Sequence, residues 1–176
     1  LNRIAREFDQ EYDVDGEIAE RGSIDYDLLG DLNDVEYYSY APPKSLGREW
    51  ISSNFWGNVR NSEAHKEDKM RTLVDHIAQQ IGNNIEDLTN GEPAGKRVYI
   101  TGGGAFNKSL ISHIESHTDA EIVVPNEDEV NYKEALAFAL LGVLRVENKT
   151  NVLSAATGAS KDSVSGSLYG DFSKLV

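Results

Sequence analysis

The most informative stretch of this 176-residue chain is Val98-Tyr99-Ile100-Thr101-Gly102-Gly103-Gly104-Ala105-Phe106-Asn107. A β-branched and aromatic run stops at three glycines, and the apolar residues after Asn107 fall on one helical face, which predicts strand, turn and helix. Such a turn lets backbone approach a ligand without Cβ interference and directs the N–H groups of a helix start towards it. The stretch therefore predicts either a phosphate or nucleotide site or a turn shaped by packing alone, and both interpretations stand at this point.

A second strand is predicted at Ile122-Val123-Val124, closed by Pro125. Two strands joined by a helix predict a parallel βαβ crossover. The expected fold class is therefore α/β, a small parallel sheet with several flanking helices. Apolar periodicity and turn residues place the other elements: a helix from residue 1 broken at residues 13–16, a helix over 23–34 capped by Ser23 or Asp25, a loop over 52–63, an amphipathic helix over 67–81, a turn-rich stretch over 83–95, and a helix start near Ser160.

The helix that we predict from Asn131 is apolar almost all round between Ala135 and Leu144, so we expect it to be buried on most sides. Glu134 stands at the entrance to this apolar run. It is either an ordinary first-turn carboxylate favoured by the helix dipole or a carboxylate held at the mouth of a cleft.

Charge and composition exclude several classes of function. Thirty acidic and seventeen basic residues give a net charge of −13, which opposes extended contact with a phosphate backbone, so we expect no nucleic-acid partner. The absence of cysteine excludes disulfides, thiol nucleophiles and cysteine-type zinc sites, and it fits a reducing, cytoplasmic location. No apolar run is long enough to span a bilayer, so no membrane partner is predicted either.

Two clusters resemble metal sites without completing one. Asp13, Asp15 and Gly16 lack the later ligands of a calcium loop, and we interpret them as an Asx-type turn. His113 and His117 share a helical face, but no third ligand joins them, so we interpret them as surface histidines. No metal site is therefore predicted from protein side chains.

Residues 44–49 place Lys44, Ser45, Arg48 and Glu49 beside a turn glycine, Gly47. These side chains could orient an anionic ligand or clamp two lobes together. They could equally form an ordinary charged surface turn, which is the usual place of such residues.

Four motifs follow one another in a fixed order and carry a family resemblance. They are Pro43-Lys44-Ser45-Leu46-Gly47-Arg48-Glu49, Gly102-Gly103-Gly104-Ala105-Phe106-Asn107, Glu134-Ala135-Leu136-Ala137-Phe138-Ala139, and Thr157-Gly158-Ala159 with Val164 and Gly166. Together with the region of Tyr12, Asp13 and Gly16, the set resembles the C-terminal half of the anhydro-N-acetylmuramic acid kinase family, in the sugar kinase, Hsp70 and actin superfamily. The resemblance implies a single partial domain over residues 1–176, the C-terminal lobe of a two-lobed actin-like ATPase with a ribonuclease H-like fold.

The resemblance also implies a function. The family opens the 1,6-anhydro ring of anhydro-N-acetylmuramic acid with water and phosphorylates the freed 6-hydroxyl from ATP with Mg²⁺, in bacterial peptidoglycan recycling. The resemblance assigns four residues to the nucleotide side: Gly102, Gly103, Gly104 and Asn107. It gives Glu134 a supporting role in the sugar-facing cleft. Four further residues belong to the active-site surround: Lys44, Ser45, Arg48 and Glu49.

The chain departs from the family pattern at two places. Leu46 stands where threonine is common, and Asn131-Tyr132-Lys133 replaces a stretch that usually carries an aspartate. The family's Gly-Thr-Ser-Met-Asp-Gly phosphate loop and its Asp-x-Gly-Pro-x-Asn segment, which supplies the catalytic base, are expected before Leu1. We therefore expect residues 1–176 alone to be inactive and the parent protein to be a kinase.

Two alternatives stay open. The first is a non-catalytic relative or interaction module with the same fold. The second is a dinucleotide-binding domain, because Gly102-x-Gly104 follows a strand and Glu127 lies past the next one. Because the strands that complete the sheet are expected before Leu1, exposed edges and apolar faces are predicted to promote homodimerisation or aggregation.

Overall fold

A computed structural model describes residues 1–41 and 44–170 of the chain. They divide into two compact units, Leu1–Pro125 and Asn126–Val176. The structure is rich in helix and has one small parallel sheet, so the predicted α/β class is confirmed. The single partial domain expected over residues 1–176 stays a prediction.

The first unit consists of short helices around one long helix. The helices are α1 (Asn2–Ala5), α2 (Glu17–Arg21), α3 (Tyr26–Asn33), α4 (Arg48–Trp50), α5 (Trp56–Asn61), α6 (Lys66–Leu88) and α7 (Lys108–Ser116), with 3-10 turns at Arg6–Phe8, Val14–Gly16, Glu36–Ser39 and Gly103–Phe106. The predicted break at residues 13–16 is confirmed, and so is the cap of α3, because the Asp25 side chain accepts a hydrogen bond from Leu28 N at 2.8 Å.

The sheet has two strands, β1 (Arg97–Tyr99) and β2 (Glu121–Val123), and helix α7 lies between them in the chain. They pair in parallel, with Val98 opposite Ile122. The predicted parallel crossover is therefore confirmed, although each strand begins and ends one residue earlier than the apolar runs suggested.

The core of the first unit lies along α6, against which α2, α3 and α7 pack. Its apolar stripe has the spacing predicted for an amphipathic helix. The largest fully buried apolar side chains are Ile4, Ile18, Leu28, Leu32, Val59, Met70, Val74 and Ile114. Helix α7 begins directly after the three glycines. Because its Ile114 is buried in the core, the helix fixes the position of these glycines relative to the core.

Two predicted loops are helical. Residues 52–63 were expected to be irregular, but the chain is helical from Arg48 to Asn61, with a π-helical turn at Ile51–Phe55. Side chains support this turn, since Ser53 Oγ donates to Glu49 O at 3.0 Å and Asn54 Nδ2 to Trp50 O at 3.2 Å. These polar residues therefore bond back to the helix instead of ending it.

Helix α6 also continues through the first part of the stretch predicted to be turn-rich, as far as Leu88. Gly82 lies inside this helix. A Cβ at this position would lie 2.5 Å from His117 O, so a residue without a side chain is needed there. The glycine permits the close approach of α7 to α6, and packing outweighs its low helix propensity.

The second unit is built on α8 (Glu127–Val146), followed by α9 (Ser154–Thr157) and an isolated antiparallel bridge between Val152 and Ser163. Helix α8 begins four residues before the predicted Asn131, because Asn126 caps it by accepting from Glu129 N at 3.0 Å. The helix predicted near Ser160 is absent from the described residues. Gly158, with φ of 71°, instead ends α9 just before it.

The prediction that the apolar helix is buried is wrong for α8. Leu136 is 73% exposed and Phe138 is 71% exposed. The apolar residues surround the helix, while the described part of this unit, residues 126–170, offers only α9 and the short bridge to pack against it. Among the described residues, no helix is long and apolar enough to cross a membrane.

Candidate functional site

The glycine turn, residues 102–107, connects β1 to α7. Gly102 has φ of 85°, a backbone conformation that favours glycine, whereas a Cβ at Gly103 would meet no atom within 4 Å and one at Gly104 would make only ordinary contact. Backbone conformation therefore accounts for glycine at Gly102, and no contact within the described residues requires it at Gly103 or Gly104. The space beside these two residues is open, as backbone that approaches a ligand requires.

Asn107 fixes the helix end of this turn. Its side chain is largely buried, and Oδ1 accepts a hydrogen bond from Leu110 N at 2.9 Å, which caps α7. Burial of Ala105, Leu110 and Ile114 holds the turn and the first turns of the helix in place.

The acidic turn, residues 13–16, lies against the glycine turn. Asp13 is buried, and its two carboxylate oxygens accept hydrogen bonds from Ile18 N at 2.8 Å and Ala19 N at 3.1 Å. Both oxygens are thus engaged with backbone amides at the start of α2, five and six residues further along the chain. The Asp13 side chain therefore does not form the Asx-type turn that the sequence predicted, in which the donor lies two residues on. Among the described residues, no cluster of three or more histidine or carboxylate side chains is arranged to hold a metal ion.

A cleft of about 470 Å³ lies between the two turns. Its polar walls combine the open glycine backbone with two carboxylate side chains. The cleft is lined by Leu1, Asn2, Tyr12, Asp13, Asp15, Gly103, Gly104, Phe106 and Asn107. Lys108 Nζ forms an ion pair with Asp15 Oδ2 at 2.7 Å, so the two turns are also joined by charge.

The predicted site residues lie on three elements of the structure. Gly103, Gly104 and Asn107 line the cleft, with Gly102 directly before them. Glu134 is exposed on α8 of the second unit. Residues 44–49, called the 44–49 segment below, belong to the first unit but contribute no lining residue to the cleft. Pro43, the first residue of that predicted motif, lies outside the described residues.

Lys44 is held locally, since its Nζ donates to Tyr37 O at 3.3 Å and Tyr38 O at 3.2 Å and lies 4.9 Å from the centre of the Tyr37 ring. The side chains of this segment that were assigned to the active-site surround are exposed: Lys44, Ser45, Arg48 and Glu49. This environment fits either a ligand-binding surface or an ordinary charged surface, so their role stays a prediction.

Sequence reasoning missed a buried histidine beside this segment. His76 is 1% exposed, with Nε2 2.9 Å from Tyr38 Oη and Nδ1 2.8 Å from Asn33 Oδ1. Burial lowers the pKa of His76 to about 4, with a smaller opposing effect of Asp75, so the imidazole is neutral at pH 7. Its place three residues after Leu73 on the apolar stripe of α6 was the available signal.

His76 also lines a mainly apolar groove of about 530 Å³ with the aromatic residues Tyr38, Trp50, Phe55 and Trp56.

His113 of α7 and His117, which directly follows this helix, have different partners. His113 Nδ1 lies 2.7 Å from Ser109 O, and His117 Nε2 lies 3.2 Å from Asp75 Oδ1. His113 thus bonds within its own helix, and His117 bonds to α6, so the i, i+4 pair has structural partners.

Comparison with known proteins gives consistent matches over most of the chain. The profile of the family described as anhydro-N-acetylmuramic acid kinase matches residues 2–171. A protein of that name from Francisella tularensis subsp. novicida is 33% identical over 165 residues, which cover 92% of this chain and 43% of the relative. One from Clostridioides difficile is 34% identical over 169 residues, covering 93% and 44% respectively. The chain thus spans less than half the length of these curated relatives.

Proposed function

Because the chain belongs to the anhydro-N-acetylmuramic acid kinase family, we propose that it forms part of an ATP-dependent kinase that acts on 1,6-anhydro-N-acetylmuramic acid. In the proposed reaction, water opens the anhydro ring and the freed 6-hydroxyl takes the γ-phosphoryl group, with ADP as the leaving group. The product is N-acetylmuramic acid 6-phosphate. The proposed setting is cytoplasmic peptidoglycan recycling in a bacterium.

The observation that carries this proposal is the open backbone of the glycine turn at the cleft. Gly103 and Gly104 leave room for phosphate oxygens to approach main-chain N–H groups, and the start of α7 adds the favourable end of a helix dipole. We propose that Gly102, Gly103, Gly104 and Asn107 form the nucleotide side of the site.

The donor set also bears on Mg²⁺. Asp13 is engaged with amides and Asp15 with Lys108, so neither carboxylate is free to hold a metal as the chain stands. This fits a Mg²⁺ ion bound mainly through ATP phosphates and water, as is usual for this cation. When bound, it would neutralise charge on the transferring phosphoryl group.

We further propose that Glu134 supports the sugar side and that Lys44, Ser45, Arg48 and Glu49 belong to the surround. The architecture proposed for the whole protein is the two-lobed actin-like ATPase, with this chain in its C-terminal lobe. Homodimerisation, for which the exposed apolar residues of α8 offer a surface, is part of the same proposal.

Phosphorus NMR tests the reaction directly. The whole protein is incubated with ATP, Mg²⁺ and anhydro-N-acetylmuramic acid, with samples lacking the sugar or containing residues 1–176 alone as controls. We expect a sugar phosphate resonance and ADP from the whole protein only. ADP formed equally without the sugar would contradict the substrate, and sugar phosphate from residues 1–176 alone would contradict the expectation that this chain does not act alone.

The second candidate is a non-catalytic relative, and Asn131-Tyr132-Lys133 before Glu134 is the observation that favours it. Absence of product from the whole protein would support this candidate. If product forms, Glu134→Ala is expected to lower turnover. Unchanged turnover in that variant would remove Glu134 from the site.

A further inference from the structure

We propose that the acidic turn is a positioning element for the glycine turn, so that Asp15 and Gly16 control nucleotide affinity through the positions of Asn107 and Lys108. This inference rests on the proposed nucleotide role of the glycine turn. Neither residue was predicted to take part in the site. The contact joins parts of the chain about ninety residues apart, between residues 13–16 and the start of α7.

The first support is the close approach at Gly16. Its φ is 84°, and a Cβ built there would overlap Ser109 Cβ and lie 2.7 Å from Asn107 Oδ1. Asn107 Oδ1 is the atom that caps α7. Any side chain at residue 16 must therefore displace the helix cap or the acidic turn itself.

The second support is the ion pair between Asp15 and Lys108. A lysine in the first turn of a helix faces the positive end of the helix dipole, which is unfavourable, and Asp15 at 2.7 Å offsets that charge. Both side chains are considerably exposed, so the pair adds little to the free energy of unfolding. Its effect is geometric, because it connects a cleft-lining turn to the first residue of α7.

The third support continues into the next residue of the helix. Ser109 Oγ donates to Glu20 Oε1 at 2.5 Å, and Glu20 Oε2 lies 3.5 Å from Arg71 Nη1 on α6. Three successive residues, Asn107, Lys108 and Ser109, are thus each in contact with the acidic turn or the helix that follows it. The end of the glycine turn is defined by these contacts as well as by its own backbone.

A shift of this support moves Asn107, and with it the backbone N–H groups proposed to receive phosphate. Binding through several aligned donors is sensitive to displacements of about 1 Å. The expected result is weaker binding of ATP with little effect on the sugar, whereas general destabilisation would lower the folded fraction without separating the two substrates.

The main experiment compares Gly16→Ala with Gly95→Ala in the whole protein. Gly95 has φ of 75° but open space around it, so it provides the same left-handed strain without the contact. We expect Gly16→Ala to raise KM for ATP roughly tenfold or more, with KM for the sugar changed less than about twofold. Gly95→Ala should change neither. Equal behaviour of the two variants, or equal increases of both KM values in Gly16→Ala, would overturn the proposal.

A charge exchange tests the ion pair separately. Asp15→Lys and Lys108→Asp should each raise KM for ATP, and the double variant with exchanged charges should recover most of the loss. A double variant no better than the single ones would remove the ion pair from the proposal. Asp15→Asn gives a milder test in case Gly16→Ala does not fold.

Amide hydrogen exchange distinguishes failure of this inference from failure of the proposed function. If the wild-type whole protein shows neither ATP binding nor turnover, the kinase proposal fails. Exchange at residues 103–110 without ligand still reports on the support: it should be faster in Gly16→Ala than in Gly95→Ala. Equal exchange in the two variants would contradict positioning whatever the activity.

Discussion

The glycine turn and the 44–49 segment belong to the same family resemblance, but different contacts hold them. Gly16 and Asp15 support the end of the glycine turn from a distant part of the chain, and α7 carries it into the core. Lys44 instead bonds to the carbonyls of Tyr37 and Tyr38, only a few residues away. One predicted site segment is therefore supported by tertiary structure and the other mainly by its neighbours.

This difference indicates which part of a site is ready before a ligand arrives. Backbone donors held by buried residues lose little freedom on binding, whereas exposed lysine and arginine side chains must be ordered by the ligand. In the proposed kinase, the nucleotide side would then be organised within this chain. The 44–49 segment would acquire its final geometry with the sugar or with the rest of the protein.

The largest expected effect comes from loosening the support of the glycine turn. Ile114 of α7 is 1% exposed in the core, so Ile114→Ala should lower the free energy of unfolding by about 2–5 kcal/mol. Urea denaturation of the whole protein measures this change. Leu88→Ala, at a residue that is 84% exposed, is the control and should change it by less than about 0.5 kcal/mol. A similar small effect for Ile114→Ala would contradict the difference in support.

The second effect is a pH dependence of the free energy of unfolding, and it arises from His76 on α6. Since the pKa of His76 is lowered to about 4, the unfolded chain binds this proton more readily than the folded one. The stabilisation is fully present above about pH 6.5 and is lost as the pH falls towards 4, by about 3 kcal/mol in total.

Denaturation at a series of pH values tests this expectation with His76→Gln as the comparison. Between pH 6.5 and 4, the slope of the unfolding free energy against pH should be smaller in the variant by up to about 1.4 kcal/mol per pH unit. The variant is also expected to be less stable at pH 7, because it changes the contacts to Tyr38 and Asn33. Parallel slopes in the two proteins would rule out His76 as the titrating group.

A smaller change is expected at the cap of α7. Asn107→Ala removes the hydrogen bond to Leu110 N and should cost about 1 kcal/mol of stability, while Asn107→Asp retains an acceptor and should cost less. Thermal unfolding of both variants distinguishes them. Equal destabilisation would show that the cap does not hold the turn.

The smallest effect is expected in the other region. Lys44→Met removes an exposed amine from two carbonyls and should lower the unfolding free energy by less than about 1 kcal/mol. Thermal unfolding measures this loss beside those of Asn107→Asp and Asn107→Ala. A loss as large as that of Ile114→Ala would show that the 44–49 segment is also part of the framework.

Local pattern was sufficient for much of the fold. Strand, glycine turn and helix follow from residues 98–107, and the parallel pairing follows from the helix between two strands. The stripe of α6 was recognised because its period is regular. The helical stretch Arg48–Asn61 was missed because its polar residues read as a loop, and the extension of α6 past Gly82 depends on contact with His117, which no local pattern shows.

The exposed state of α8 shows a different limit. Apolar composition says that a helix gains from burial, but burial needs a surface to pack against, and unit Asn126–Val176 supplies little. The contact between residues 13–16 and the glycine turn could likewise not be predicted from the sequence. It joins residues about ninety positions apart through the close approach at Gly16 and an ion pair between Asp15 and Lys108. Neither contact produces a periodic pattern in the sequence.

In the proposed kinase, ATP binds at the glycine turn. Amide hydrogen exchange of the whole protein with and without ATP and Mg²⁺ measures this most directly, with anhydro-N-acetylmuramic acid alone as the matched control. We predict that ATP slows exchange across residues 102–110 and that the sugar alone does not. Unchanged exchange there at a saturating ATP concentration, with protection confined to residues 44–49, would contradict the account.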